Sequence, residues 1–345
     1  MRNRQPLNTF DYTKSSLDQA ALLLTPEDED LRSLVISTLH RQAYYDGAAH
    51  VALSAPEATP NLGMSAALAL LLQQEQAEAR KALELSLKAE GDPDDKFGEL
   101  LRAARLYSFL EDDKTAFTLV DEAAAMADND SERAIANASK ASILQHFGRY
   151  EDAVTYAQKA VEIDNTHERR TFMATSIGEV GQEEEAIKLL RRELLERPDD
   201  PNALNSLGYF LITHTEDYEE GYKLLFRATT LASNSPYIRD SFGWARYKLG
   251  DLVTARRAIE SSRDLLAPER HWEIEDHLGD IYWHLGNKED AREAWQAALQ
   301  VYPPVKTREL IEAKLKDGIT VPPPEKRAIP SVSLQDDGKS NERDI

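Results

Sequence analysis

Cysteine is absent from all 345 residues. That excludes disulfides, thiolate zinc sites and cysteine nucleophiles, while leaving the redox compartment open. Positive charge is scarce: 41 Lys and Arg stand against 61 Asp and Glu, a net charge of -20. Such a surface repels nucleic acid and anionic lipid, so no nucleic-acid role is expected and basic partners are favoured. Long apolar runs are missing as well. The longest, Leu62 to Leu72, is interrupted by Gly63 and Ser65 and falls short of the ~20 residues that cross a bilayer, so no direct membrane insertion is expected. Near the start, the only apolar run, Ala20 to Leu24, is too short for the apolar core of a secretory leader. The chain as written is therefore expected in the cytoplasm, with the periplasm or envelope as the alternative if its N-terminus is incomplete. Catalytic signatures are lacking too: there is no phosphate-binding glycine loop, no HExxH and no GxSxG. No catalytic residue and no cofactor are expected.

What is present is a repeat. The stretch "HLGDIYWHLGNKEDAREAWQAAL", His277 to Leu299, reads as two short helices around a Gly-Asn turn, and its pattern recurs upstream. A small residue stands in each first helix at Ala141, Ala174, Gly208, Gly243 and Gly279, spaced 33, 34, 35 and 36 apart. A second series, Ala153, Ala186, Gly221, Ala255 and Ala291, is spaced 33, 35, 34 and 36. Two series with one period near 34 indicate an array of helix-turn-helix units. Turn glycines Gly148, Gly181, Gly250 and Gly286 follow the first small residue by seven in four of the five units. Small residues at these places let the two backbones approach, while the larger side chains between them fill the grooves. Each pair still presents an apolar edge, so the pairs stack.

The last unit carries Leu278, Gly279, Tyr282, Gly286, Ala291, Trp295, Ala298 and Pro303. In this it resembles the tetratricopeptide repeats. The resemblance implies an all-α fold, an α-solenoid of about six to seven stacked helix pairs forming a right-handed superhelix. The organisation read from it is an N-terminal segment at 1–29, degenerate helix pairs at 30–130, five clear repeats at 131–303, a capping helix at 304–316 and a disordered tail at 317–345. More narrowly, "NSLGYF", "PYIRDSFGWARYKLG" and "HLGDIYWHLG" resemble a group of proteobacterial repeat proteins with envelope-associated members. Proteins of this kind bind other proteins. The resemblance implies a non-catalytic interaction scaffold, or alternatively a bacterial envelope-associated protein that assists assembly or export of a membrane or secreted complex.

In such an array the first helices line the concave face. The positions that point into it in the last three units are Asn205, Tyr209, Ile212 and Thr213, then Asp240, Trp244, Tyr247 and Lys248, then Asp276, Asp280, Trp283 and His284. This acidic and aromatic groove suits a basic or aromatic protein segment through cation-π contacts and carboxylate pairing. Other marked residues have plainer readings. His277, Asp280 and His284 share a helical face at metal-compatible spacing, but they lack a fourth ligand, so no metal is expected. His277 is read as bonding the next repeat, and His284 as closing its helix near the terminal carbonyls. Trp295 is read as core. "TPEDED" at 25–30 is read as a helix N-terminus, and "GDPDDKFGE" at 91–99 as a turn.

Overall fold

The computed structural model describes residues 29–55 and 59–332. These residues form seventeen α-helices and no strand. They divide into two compact units, with the boundary between Met126 and Ala127.

The first unit holds three antiparallel pairs. Helix α1 (Glu29–Arg41) packs on α2 (Tyr45–Leu53), α3 (Pro60–Leu72) on α4 (Gln76–Lys88), and α5 (Lys96–Phe109) on α6 (Asp113–Met126). Its core is built from small and branched side chains, with Ala66, Ala67, Leu71, Ala79 and Leu83 fully buried. The second unit holds five pairs: α7 (Asp130–His146) with α8 (Tyr150–Ile163), α9 (His167–Gly178) with α10 (Glu183–Glu196), α11 (Pro201–His214) with α12 (Tyr218–Leu231), α13 (Pro236–Lys248) with α14 (Leu252–Leu266), and α15 (Trp272–His284) with α16 (Lys288–Leu299). A final helix, α17 (Val305–Asp317), packs on α16 and sinks Ile311 into the last core cluster. Eight pairs thus replace the expected six to seven. "TPEDED" lies outside the described residues except for its last two positions.

Local chemistry sets the helix boundaries. Asn129, Thr166, Asp200, Asp217, Ser235 and Asp251 each accept a bond from the first turn of the helix that follows, satisfying donors that have no intrahelical partner. Prolines stand in the first turns of α3, α11 and α13, where the missing N–H costs nothing. Seven of the eight turns share one geometry. A residue with positive φ ends the first helix, and the next N–H reaches back five residues, as from Arg149 to Leu144 at 2.8 Å and from Asn287 to Tyr282 at 2.9 Å. Glycine takes that position at 148, 181, 250 and 286, but in the first unit Ala43, Gln74 and Glu111 do. The exception is the turn after α11, whose additional residue lets Thr215 and Asp217 close it without a left-handed residue.

Within the second unit, first helices touch the first helices of neighbouring pairs, as α9 does α11 and α11 does α13. They form the inner row. Each pair closes on its small residues: a Cβ at Gly243 would stand 2.4 Å from Ile259, and one at Gly279 would stand 2.2 Å from Trp295. Trp295 is fully buried, filling the room that Gly279 leaves.

The chain beyond α17 differs from the expectation of a disordered tail starting at 317. After Gly318 (φ 74°) the backbone runs on without helix or strand to residue 332, against the second unit. Its composition is poor in apolar residues, which is why it reads as unable to join a core. It is held chiefly by main-chain groups, which composition does not register. Residues 333–345 lie outside the described residues.

Candidate functional site

Inner-row residues of α11, α13 and α15 form one connected network. At its centre the His277 Nδ1–H donates to both carboxylate oxygens of Asp240 at 3.1 and 3.0 Å, and both residues are buried. Burial disfavours the charged imidazole, yet Asp240 outweighs it and raises the His277 pKa above its ordinary value. The Trp244 ring stacks on His277 at 3.9 Å and on Tyr247 at 4.4 Å, each within 12° of parallel. Lys248 Nζ lies 5.3 Å from the same indole, and burial lowers its pKa against the attraction of Asp280. The Tyr209 hydroxyl donates to Glu273 at 2.6 Å, linking α11 to α15 past the intervening pair. Burial and the nearby carboxylates Glu273 and Asp240 push that phenol well above its usual range. Asn205, one turn before Tyr209, has its side-chain oxygen buried without a hydrogen-bond partner.

The acidic part of the face is already paired. Lys314 of α17 contacts Asp276 at 2.8 and 2.9 Å and Asp280 at 2.8 Å. Asp280 also accepts from the Trp295 indole at 3.0 Å. Burial, and then Asp280, raise the Asp276 pKa to about 6 against the pull of Lys314. Burial alone would lower the Lys314 pKa, but Asp276 and Asp280 together raise it. The expectation that Asp276 and Asp280 wait for a basic partner is therefore corrected: the capping helix supplies the cation. Asp240 likewise spends its carboxylate on His277, the preceding pair and not the next one being the partner of that histidine.

The remaining aromatic residues face the C-terminal segment. Trp283 Nε1–H donates to the Ile319 carbonyl at 2.9 Å, and the His284 Nε2–H donates to the Val321 carbonyl at 3.2 Å. The other histidine nitrogen accepts from Tyr247, 2.9 Å away. Farther along, the Arg327 N–H donates to the Leu249 carbonyl at 3.0 Å, and its guanidinium lies 4.7 Å from the Tyr218 ring centre. Glu325 and Lys326 pass so close to Gly250 that a Cβ there would stand 2.7 Å from their backbone. Ile319 and Val332 pack against the core cluster. The segment therefore runs past three successive pairs, in the direction opposite to their order.

Spacing alone places Asp240, Trp244 and Tyr247 on α13 and Asp276, Asp280, Trp283 and His284 on α15, and the first three are buried rather than open to a groove. It misses Glu273, Lys314, Ile319, Val321 and Arg327. The one cue to the segment is "VPPPEKR" at 321–327, because a proline run favours the extended polyproline conformation that aromatic ledges bind. Among the described residues, no group of three or more His, Asp or Glu side chains is placed to hold a metal ion, and no helix is long and apolar enough to cross a membrane.

Compared with known families, residues 134–167 and 273–304 match the tetratricopeptide repeat. A TPR repeat-containing protein of Pseudomonas aeruginosa is 35% identical over 111 residues, covering 32% of this chain but only 18% of that protein. Among solved structures, yeast Tom70 aligns with a TM-score of 0.51 at 11% identity, covering 89% of this chain and 66% of its own. A tetratricopeptide repeat protein from Parabacteroides merdae gives 0.51 at 12% identity, covering 74% and 97%. At such identities the structural likeness concerns the fold alone.

Proposed function

Because the chain belongs to the tetratricopeptide-repeat proteins, we propose that it is a non-catalytic scaffold whose second unit holds an extended protein segment along its inner row and the adjoining turn edge. The observation that supports this reading is the grip of Trp283 and His284 on the carbonyls of Ile319 and Val321. Donors aimed at alternate carbonyls bind a chain through its backbone, leaving specificity to the side chains between. The partner class is a protein or peptide. A basic or aromatic character follows from the net charge of -20 and the partly buried aromatic edge of Tyr218, Trp283 and His284 rather than from Asp276 and Asp280, which are paired internally. An envelope location, assisting assembly or export, is the second reading, favoured by the resemblance of the C-terminal half to envelope-associated repeat proteins. Fractionation of cells carrying the native locus separates these two.

The test of binding is affinity capture on the immobilised full chain, comparing wild type with a Tyr218→Ala, Trp283→Phe variant well below melting. A protein retained by wild type and reduced at least tenfold on the variant is the expected result. If the two surfaces retain the same proteins, and an unrelated acidic protein retains them as well, the reading fails.

A further inference from the structure

The segment on the turn edge has the features of a bound peptide rather than of a core element. Its side chains from Val321 to Ile329 are exposed apart from Pro324, and nothing between Val321 and Val332 enters the core cluster. It is attached by three bonds to its main chain, one cation-π contact, a close pass over Gly250 and, at its two ends only, the packing of Ile319 and Val332 on the core cluster. Its receiving surface, by contrast, is rigidly built. The Trp283 ring meets Trp295 at 5.5 Å, His284 is oriented by Tyr247, and the glycine at 250 keeps the backbone approach open. Pro322, Pro323 and Pro324 hold the segment extended before it docks, which lowers the conformational entropy that docking removes.

We propose that residues 318–332 act as a tethered competitor for the ledge formed by Tyr218, Leu249, Gly250, Trp283 and His284, and that a partner's extended, proline-containing segment bearing an arginine displaces them. This rests on the scaffold reading above. The partner chemistry follows from what the ledge contacts: two carbonyls two residues apart, an extended run between, and a guanidinium six residues beyond the second carbonyl, over Tyr218. A tether this short gives an effective concentration on the order of millimolar, so a weakly held segment still fills the ledge in the free protein. A partner then competes against it, and its apparent affinity falls by the fraction of time the ledge is closed.

The experiment uses the full chain and a fluorescein-labelled peptide, "DGITVPPPEKRAIPSV", copied from residues 317–332, with fluorescence anisotropy as the readout. In the first variant the segment is weakened on its own side by Pro322→Gly, Pro323→Gly, Pro324→Gly and Arg327→Ala, all remote from the core. Its affinity for the peptide should exceed that of wild type by about tenfold or more, as expected when a millimolar tether is loosened. Adding Tyr218→Ala and Trp283→Phe should bring binding back to the wild-type level or below. A scrambled peptide should not bind any of them. Equal peptide binding by wild type and the weakened variant, or no binding by either, overturns the competition. Capture by the inner row can survive that outcome. Conversely, a captured partner unaffected by the ledge substitutions and by loosening of the segment overturns the proposal while leaving the scaffold reading standing.

Discussion

At the residue scale, the side chains that look available for a ligand are divided between internal pairing and a turn edge that the C-terminal segment covers. Asp276 and Asp280 share Lys314, so Asn at both positions should leave a partly buried ammonium without its counter-charges, at a cost below the roughly 3–5 kcal/mol of a fully buried pair. Denaturant melts should move far more than the salt dependence of partner binding does. The two tryptophans of the last repeat separate in the same way. Trp295→Ala should cost about 3–5 kcal/mol through the cavity beside Gly279, while Trp283→Phe loses one hydrogen bond to Ile319, a net contribution of about 1 kcal/mol. Histidine 277 supplies a pH dependence. Its folded pKa is raised above the unfolded value of about 6.5, so the stability it adds is complete below that pH and is lost as pH rises through the folded pKa. Asp276 loses stability in the same direction at lower pH, ending near its folded pKa of about 6. Urea midpoints above pH 6.5 should therefore fall more steeply for wild type than for His277→Gln; parallel curves would remove the role given to the Asp240 pair. The helix that carries Trp244 and Asp240 is legible from 3.6-residue periodicity, which puts the two on one side of α13, but not that both are buried there. The partners were not legible. Tyr209 meets Glu273 across 64 positions and Asp276 meets Lys314 across 38, separations that no local pattern reports.

At the element scale, the turns explain which repeats announce themselves. Gly148, Gly181, Gly250 and Gly286 mark the second unit because glycine takes the left-handed turn position without a Cβ penalty. The first unit adopts the same turn with Ala43, Gln74 and Glu111, each at a cost of roughly 1–2 kcal/mol, and its pairs are correspondingly faint in sequence. Glycine 250 carries a second constraint. Alanine at Gly286 meets nothing within 4 Å, so its cost is backbone strain alone, whereas alanine at Gly250 adds a clash with Glu325 and Lys326. Both variants should lose about 1–2 kcal/mol from the turn. Only Gly250→Ala should also free the C-terminal segment, read as faster amide exchange at Arg327, whose N–H is otherwise bonded to Leu249. Similar exchange in the two variants would show that the segment is not seated over that turn. The same comparison explains the misread tail: proline and charge content predicts disorder when burial is the only source of order, and here backbone bonding supplies what apolar area does not.

At the scale of the whole molecule, stability is distributed along the chain rather than gathered in one core, since each pair contacts mainly its neighbours. The two units differ in what closes them. The second ends in α17, which buries Ile311 and places Lys314 between two carboxylates, and its last cluster joins side chains from α11 through α17. The first unit carries three of the four described non-glycine residues at positive φ, Tyr302 in the second being the fourth. Unequal resistance to denaturant follows, and the distribution of tryptophan makes it measurable. All four, Trp244, Trp272, Trp283 and Trp295, lie in the last two pairs, so indole fluorescence reports only that end, whereas far-ultraviolet circular dichroism sums helices from both units. In a guanidinium titration, helical signal should begin to fall before the fluorescence changes, and the fluorescence transition should have the higher midpoint. Its slope should also be smaller than a cooperative 345-residue chain would give, because the slope scales with the surface exposed in the step observed. Coincident curves with one common slope would mean that the eight pairs melt as a single unit, and the strain assigned to Ala43, Gln74 and Glu111 would then have no local effect.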